Sequence, residues 1–201
     1  MVLQIIHGYQ SHIFADLLDL AYQLRYNTFI KEMNWSGLNG ENGREIDQFD
    51  HEDAIHFLDI DRGNIAAYSR LLPTTRPHLL SDVYPMLSDR GIPRGSHVME
   101  WTRFTVAPRY RGDGRYSFSG GSMVRGVVSH CLRRGISVLS LQAHPMWITR
   151  FLALGFQPRP LGLPKQIDGQ PVIAFELDVT DQIYAALGTT DRAADRPAIN
   201  A

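Results

Sequence analysis

The order of the predicted secondary structure elements limits this chain more than any other feature of its sequence. The second half reads as strand, helix, strand, helix and strand, over residues 97–106, 117–134, 136–141, 145–154 and 171–177. The predicted helices end at glycines, as helices commonly do. Alternation of this kind indicates a sheet with helices packed on its faces.

The first half contributes antiparallel strands to the same predicted sheet. Residues 54–60 and 65–72 are apolar strands joined by a tight turn, which predicts a hairpin. A short strand over 2–7 and an amphipathic helix over 11–33 precede them. Residues 34–53 are rich in Gly, Asn, Asp and Glu without a clear period, which favours a binding loop.

The complete order predicts an α/β fold, a three-layer α-β-α sandwich with a mixed sheet. No internal repeat is visible. We therefore expect one domain over residues 1–188, followed by a disordered tail over 189–201, where the residues are small and polar.

Composition and charge exclude several classes of protein. The chain of 201 residues carries 20 basic and 21 acidic residues, so it has no overall positive field for nucleic acid or an anionic membrane. A single cysteine, Cys131, allows neither an internal disulfide nor a cysteine-based zinc site, and the histidines lack metal-ligand spacing. No apolar run is long enough to span a membrane, and the start lacks the pattern of a signal peptide. These features predict a cytoplasmic protein without a metal.

A predicted central strand carries two charges among large apolar residues. Glu100 and Arg103 are separated by Trp101 and Thr102 and followed by Phe104. Strict alternation would put the two charges on opposite faces, whereas a bulge near residues 101–102 would bring both to one side. Because buried charges cost stability and often mark function, this strand is the strongest candidate for an active site.

The N-terminal helix presents a cation and an aromatic ring to one side. Arg25 and Phe29 are spaced i and i+4, and Trp35 follows the predicted helix end. Two aromatic rings and a cation can clamp a ligand ring or a sulfonium by stacking and cation–π contact. Core packing with a surface arginine is the alternative.

Two further segments pair acidic residues with an arginine. Asp47 and Asp50 flank the apolar Phe49, which predicts a loop packed down with its carboxylates held in place. Arg70 lies within an apolar strand, where an arginine is rarely buried unless it is paired. These aspartates are its candidate partners, and an exposed edge strand is the alternative.

A glycine- and arginine-rich loop lies between the central strand and the next helix. It contains Arg109, Arg111, Gly112 and Gly114 with the spacing R-x-x-G-x-G. Backbone N–H groups and the positive end of a helix dipole bind phosphate at such places. The loop therefore predicts a phosphate site. Its spacing resembles the pyrophosphate loop of acetyltransferase-type folds, which implies a site for the phosphates and pantetheine of a thioester.

Together these residues resemble the acyl-homoserine lactone synthase (autoinducer synthase) family, which has a GNAT-like acyltransferase fold. Eight positions match in order and spacing: Arg25, Phe29, Trp35, Asp47, Asp50, Arg70, Glu100 and Arg103. The chain departs from the usual pattern at Thr102, which replaces a serine, at Trp101, which fills an aliphatic position, and at Tyr84, where phenylalanine is common. The Glu-Trp-Thr-Arg variant resembles the branch that takes acyl groups from coenzyme A rather than from acyl carrier protein.

The resemblance implies a two-part reaction with S-adenosylmethionine and an acyl thioester as substrates and no permanently bound cofactor. The α-amine attacks the thioester to give an amide, and the carboxylate then closes on the γ-carbon and expels methylthioadenosine. Glu100 and Arg103 are the expected catalytic pair, and acyl carrier protein is a possible protein partner. The expected S-adenosylmethionine site comprises Arg25, Phe29, Trp35, Asp47, Asp50, Arg70, Thr102 and Phe104.

The chemistry of the residues supports Glu100 as the base. A free α-amine has a pKa of about 8, so most of it is protonated at neutral pH and a base is needed. Apolar neighbours would raise the pKa of the carboxyl by desolvation, and Arg103 would oppose this rise. Backbone N–H groups at the predicted bulge could receive the oxyanion of the thioester step.

We expect the acyl pocket between the sheet and the C-terminal helices, where bulky side chains favour a short, branched or aromatic acyl group. Its predicted lining is Leu139, Leu141, Met146, Trp147, Phe151 and Leu152. Two other functions remain open from the sequence: a GNAT-type N-acyltransferase acting on another amine, and an acyl-CoA binding module without catalysis.

Overall fold

A computed structural model describes residues 1–35, 37–38, 40–112 and 118–194 of the chain. Its strands are β1 (Val2–His7), β2 (Gly40–Glu41), β3 (Arg44–Glu45), β4 (Ile55–Asp61), β5 (Asn64–Pro73), β6 (Val98–Val106), β7 (Val138–Ala143), β8 (Arg159–Pro160), β9 (Lys165–Ile167) and β10 (Gln170–Asp178). Its α-helices are α1 (Ala15–Arg25), α2 (Leu79–Asp82), α3 (Phe118–Arg133), α4 (Met146–Ala153) and α5 (Asp181–Ala194).

The main sheet is mixed, as the sequence predicts. Its strand order is β1-β4-β5-β6-β7-β10-β8, and β9 pairs with β10. The β6–β7 pair is parallel, and the other pairs are antiparallel. Helix α3 forms most of the connection between the two parallel strands, because parallel neighbours must be joined by a crossover that is usually a helix.

Helices cover both faces of the sheet and so form the three layers. On one face, α3, α4 and α5 bury the larger core, which includes Val127, Phe151 and Leu187. On the other face, α1 packs through Leu18 and Leu24, and α2 packs through Leu80. The predicted α-β-α sandwich is therefore confirmed. No helix of the described residues has the length and hydropathy needed to cross a membrane.

The first helix differs from the prediction of one continuous α-helix. After α1 the chain makes a π-helical segment over Tyr26–Glu32, in which the N–H of Met33 donates to the carbonyl of Thr28, five residues earlier. Such segments often occur at functional sites. Here the segment carries Phe29 and leads directly to Trp35.

The C-terminal end also differs from the prediction. Helix α5 continues to Ala194, so residues 189–194 are helical where the sequence predicts the start of a disordered tail. Residues 195–201 lie outside the described residues. The single domain over 1–188 remains a prediction.

Candidate active site

A bulge in β6 brings its polar side chains to one face of the sheet. The register of the β5–β6 pair shifts between Tyr68 and Arg70, and Arg103 has a left-handed backbone with φ of 56°. A left-handed conformation costs a non-glycine residue about 1–2 kcal/mol, so other contacts must hold it. The predicted bulge is therefore present, close to its expected position at residues 101–102. Glu100, Thr102 and Arg103 all lie toward the face that α1 and α2 cover.

On this face three guanidinium groups and three carboxylates form a closed ring of ion pairs. Each arginine contacts at least two of the acids and each acid contacts at least two of the arginines. Arg25 Nη2 and Asp47 Oδ2 also approach each other across the ring, at 3.9 Å. In order around the ring, the members are Arg25, Glu45, Arg103, Asp47, Arg70 and Asp50. Because the charges balance within the ring, burial leaves none of them without a counter-charge.

Arg25 is fully buried at the end of α1 and makes the most contacts. Its Nε donates to Glu45 Oε2 at 2.6 Å, and its Nη1 and Nη2 donate to the two oxygens of Asp50 at 2.8 and 2.9 Å. The rings of Tyr22 and Tyr68 flank the guanidinium, with centroids 5.2 and 5.5 Å from Cζ. Arg25 therefore joins the helix to the acidic loop and does not face solvent.

Arg70 joins the loop to the centre of the sheet. Its Nη1 donates to Asp47 Oδ1 at 2.7 Å and to Asp50 Oδ1 at 2.6 Å, and its Nη2 donates to Asp47 Oδ2 at 2.9 Å. Its Nε donates to the hydroxyl of Thr102 at 3.1 Å. The predicted pairing of Arg70 with the two aspartates is confirmed.

Arg103 closes the ring from the bulge. Its Nε and Nη2 donate to Glu45 at 3.1 Å each, and its Nη2 also donates to Asp47 Oδ2 at 2.8 Å. These charge-assisted bonds offset the cost of its left-handed backbone. Within the part of the chain that the structure describes, Nη1 of Arg103 makes no hydrogen bond.

The arginines of the ring keep its two aspartates ionised. Burial raises the pKa of Asp47, but Arg70 and Arg103 more than offset burial, and the pKa lies below its ordinary value. At Asp50 burial acts in the same direction, while Arg70 and Arg25 lower the pKa far below the ordinary range. Both aspartates are therefore charged at physiological pH.

The aromatic pair lies against the ring but does not form a clamp. Phe29 and Trp35 stack on each other, with ring centroids 5.2 Å apart and an interplanar angle of 21°. This separation leaves no space for a ligand ring between them. The other side of Phe29 faces the guanidinium of Arg103, whose Cζ lies 5.7 Å from the ring centroid. Since Phe29 is buried and Trp35 is partly exposed, Trp35 offers the accessible aromatic surface.

Glu100 occupies a different environment on the same strand. It is fully buried, and its two carboxyl oxygens accept hydrogen bonds from the backbone N–H groups of Leu79 at 2.8 Å and Leu80 at 2.7 Å. Burial raises its pKa above the ordinary value, whereas these N–H groups, His78 and Gln142 act to lower it. Burial therefore outweighs the contacts that lower the pKa, a balance that the sequence leaves open, and the raised pKa makes the carboxyl a better proton acceptor near neutral pH.

Next to this carboxyl, β6 and β7 separate. The two strands pair only from Val98–Val138 to Glu100–Ser140, although β6 continues to Val106 and β7 to Ala143. The backbone of β6 beyond Glu100 therefore has no ladder partner on the β7 side. The two strands therefore diverge from a point beside the carboxyl.

Comparison with known proteins matches residues 10–186 to the autoinducer synthases. This chain belongs to the autoinducer synthase family. It is 32% identical, over 90% of its length and 82% of the relative's, to an isovaleryl-homoserine lactone synthase of Bradyrhizobium diazoefficiens. An acyl-homoserine-lactone synthase of Acinetobacter nosocomialis is 29% identical over 88% of this chain and 100% of that protein.

Solved structures of such synthases have the same fold. BjaI, described as a CoA-dependent acyl-homoserine lactone synthase with SAM and isopentyl-CoA, superposes with a TM-score of 0.88 at 29% identity, covering 94% of this chain and 89% of BjaI. The CoA-dependent synthase MesI has a TM-score of 0.85 at 29% identity and covers 98% of each chain. The protein is thus an acyltransferase with a GNAT-like fold that makes an acyl-homoserine lactone.

One member of the ring was missed by sequence reasoning about this synthase. Glu45 is fully buried and pairs with both Arg25 and Arg103. It belongs to the same acidic loop as Asp47 and Asp50, so its position in the sequence offered a signal, but solvent exposure is the usual state of a glutamate. The apolar anchor of the loop is Phe49, which is buried, whereas Ile46 is exposed.

Phe104 does not lie with the predicted S-adenosylmethionine residues. Because of the bulge it faces the opposite side of the sheet, where its ring contacts Trp101 at 5.8 Å and Trp147 at 5.4 Å. Phe151 lies 5.8 Å from Trp101 and completes this aromatic cluster. Phe104 therefore belongs with the predicted acyl pocket.

The other predicted acyl-pocket residues divide into two groups. Leu139 and Leu141 are buried in the core beneath the aromatic cluster. Met146 and Leu152 on α4 are 48% and 49% exposed, so they do not face the core as predicted. The helix turns its Trp147 and Phe151 inward instead, since these positions lie one turn apart.

The predicted phosphate loop is only partly described. Arg111 donates from Nε to the carbonyl of Val106 at 2.7 Å and pairs with Glu32 through both Nη atoms. Arg109 lies over the ring of Tyr110, with Cζ 4.7 Å from the centroid. Gly112 has φ of 40°, and Gly114 lies outside the described residues.

Proposed function

We propose that this synthase joins S-adenosylmethionine to the acyl group of an acyl-CoA and releases methylthioadenosine and an acyl-homoserine lactone. Support comes from the similar structures of BjaI, with SAM and isopentyl-CoA, and of the CoA-dependent MesI. It also comes from a buried carboxyl with a raised pKa at the point where two strands diverge. We propose the cytoplasm as the site of the reaction, because both substrates are intracellular metabolites.

In this proposal the outer face of Trp35 receives the adenine or the sulfonium of S-adenosylmethionine. A sulfonium over an indole face gains about 1–2 kcal/mol when it is partly desolvated. Phe29 supports the indole from behind, and Arg103 supports Phe29. The N–H groups on Nη1 of Arg103 point to a role in binding the substrate carboxylate.

The ring of ion pairs holds these binding groups in place. Its charges cancel, so it exerts little net attraction on the substrate, and its members act mainly through the position they give to Arg103 and Thr102. We therefore assign Arg25, Arg70 and Asp50 to positioning. Asp47 is the most exposed acid of the ring, with a side chain 16% accessible, and is the member best placed to contact the substrate ammonium.

Glu100 acts as the base in the acyl transfer. It removes a proton from the α-ammonium group, and the resulting amine attacks the thioester carbonyl. Collapse of the tetrahedral intermediate breaks the carbon–sulfur bond and forms the amide. Backbone N–H groups at the Arg103 bulge, which the shifted register removes from the regular ladder, are candidates to stabilise the oxyanion.

The thioester would lie between β6 and β7, where the two strands diverge beyond Glu100. Its acyl group would then reach the aromatic cluster of Trp101, Phe104, Trp147 and Phe151, whose bulk favours a short or branched chain. At the far end of β6, Arg111 forms an ion pair with the exposed Glu32. Exposed pairs of this kind contribute little, so a phosphate can replace the glutamate at low cost.

The decisive experiment is incubation of the pure protein with S-adenosylmethionine and a panel of acyl-CoA and acyl-carrier-protein thioesters. We expect methylthioadenosine and free coenzyme A in equal amounts with a short branched acyl-CoA, measured by mass spectrometry and a thiol assay. Thiol release without methylthioadenosine would indicate an ordinary N-acyltransferase, and binding without release would indicate a binding module. Turnover with acyl-carrier-protein thioesters alone would overturn the choice of donor.

A further inference from the structure

Among the described residues, several buried polar atoms near Glu100 have no hydrogen-bond partner. On the face that α2 covers, they are Nε2 of His78, the hydroxyl of Ser140 and both amide atoms of Gln142. Ser140 is the β7 residue in register with Glu100. The Gln142 amide is near enough to lower the pKa of Glu100 but makes no hydrogen bond of ordinary geometry. Such atoms are normally satisfied by ordered water or by a ligand.

His78 is the titratable member of this group, and its tautomer follows from its contacts. Its Nδ1 lies 2.8 Å from the carbonyl oxygen of Arg76, which can only accept, so Nδ1 carries the hydrogen. In the neutral imidazole Nε2 then carries the lone pair and is a hydrogen-bond acceptor. The imidazole of His78 is 0% exposed. In the chain His78 directly precedes Leu79 and Leu80, whose backbone N–H groups bind Glu100.

The reaction needs a second proton acceptor. An α-ammonium group loses two protons as it becomes an amide, one before the attack and one after it. The departing thiolate takes up one of them, and the other must leave the site. Glu100 can hold a single proton, and its carboxyl is buried, so it requires a neighbour to which it can pass that proton before the next turnover.

We propose that His78 receives the proton that Glu100 removes from the substrate, so that the carboxylate and the imidazole act in series. This inference rests on the proposed function. The N–H bond of the ammonium breaks as the O–H bond on Glu100 forms. The proton then moves from Glu100 to Nε2 of His78 through ordered water that bridges the polar atoms. The imidazolium keeps its Nδ1–H bond to the Arg76 carbonyl until the products leave and solvent reaches Nε2, which then loses the proton.

The groups that face His78 come from β6, β7 and α2. Glu100 faces it from β6, and β7 contributes the neutral Ser140 and Gln142. On α2, the hydroxyl of Ser81 lies 3.2 Å from Nδ1 and donates to the exposed Asp82. The effect of His78 on the reaction should therefore reach the substrate through Glu100.

The test compares the wild-type protein with His78→Asn, whose amide can keep the hydrogen bond to the Arg76 carbonyl while removing Nε2. We expect kcat to fall by about 10- to 100-fold, with KM for both substrates within about twofold. We also expect the pH profile of kcat to change shape, and added imidazole to restore part of the rate in His78→Ala. His130→Asn, which removes a buried histidine on the opposite face, serves as the matched control with kcat unchanged.

The outcomes separate this inference from the proposed function. If wild-type protein releases methylthioadenosine and His78→Asn has the same kcat at every pH, His78 is not the acceptor and the function stands. A higher KM with unchanged kcat would mean that His78 only supports the fold of α2, and it would also overturn the inference. If the wild-type protein releases no methylthioadenosine with any donor, the proposed function itself is wrong.

Discussion

The ring of ion pairs and the surroundings of Glu100 lie on the same face of the sheet, yet their chemistry is opposite. In the ring every carboxylate contacts at least two guanidinium groups, and the arginines lower the pKa values of Asp47 and Asp50. Among the described residues Glu100 forms no ion pair with a guanidinium, its two oxygens accept hydrogen bonds from backbone N–H groups, and its pKa is raised. Along β6 only two residues, Trp101 and Thr102, separate Glu100 from Arg103 of the ring.

The difference indicates how the work is divided. A carboxylate that is held by arginines cannot take up a proton near neutral pH, so the acids of the ring are unsuited to be bases. A carboxyl that is buried without a cation can do so, at a cost in stability. The ring therefore provides geometry, and the environment of Glu100 provides reactivity.

The largest expected effect is the loss of activity in Glu100→Gln. Removal of a general base should lower the rate of methylthioadenosine release by about 10²- to 10⁴-fold. In the wild type the rate should fall as the pH drops through the raised pKa of Glu100, because protonation removes the base. Glu176→Gln, which changes a carboxylate on β10 paired with Arg159, is the matched control and should keep full activity.

Activity that persists in Glu100→Gln would show that Glu100 is not the base. Thermal melting should accompany the assay, since the amide can accept only one of the two backbone N–H bonds through its oxygen.

The second effect is on stability, in Arg70→Met. Loss of this guanidinium leaves Asp47 and Asp50 buried without sufficient counter-charge, which should lower the free energy of unfolding by about 3–5 kcal/mol. Urea denaturation would measure the change. Arg159→Met, which breaks a surface pair with Glu176 and Asp178, should cost less than about 1 kcal/mol.

A double variant sharpens this test. Arg70→Met combined with Asp50→Asn removes one charge of each sign, so it should be less destabilised than Arg70→Met alone. Equal destabilisation would show that the packing of Arg70, rather than its charge, holds the ring together.

The smallest expected effect concerns His56, which lies beside the ring and whose Nδ1 is 2.8 Å from the hydroxyl of Tyr68. Burial lowers its pKa from 6.5 to about 4. Below pH 6.5 the unfolded chain therefore binds a proton that the folded protein does not. The free energy of unfolding consequently decreases as the pH is lowered. Between pH 7.5 and pH 5 this loss should be about 2 kcal/mol.

His56→Asn should remove that part of the acid sensitivity, as measured by urea denaturation at the two pH values. His12→Asn, at an exposed position, is the control and should keep the wild-type dependence. An unchanged dependence in His56→Asn would mean that acid destabilisation begins with the ring and not beside it.

The sequence could predict several parts of this site because their signals are local. Arg70 in an apolar strand required a buried partner, and Asp47 and Asp50 lay in a loop anchored by Phe49. By contrast, the π-helical segment, the self-stacking of the aromatic pair and the exposure of Met146 and Leu152 had no local signal. Each depends on what packs against the element.

The sequence by itself determined the alternation of strands and helices and the identity of the charged residues, since hydrophobic periodicity is a property of neighbours in the chain. Only the tertiary structure decided that Glu100 and Arg103 share a face, because the side of a strand residue follows from the register with the adjacent strand. Tertiary structure alone also brought Glu45 into the ring, and left Glu100 outside it. The partners of Glu45 and of Glu100 lie far from them in the chain, so only folding brings them together. These contacts separate the charges that stabilise the fold from the carboxyl that can react.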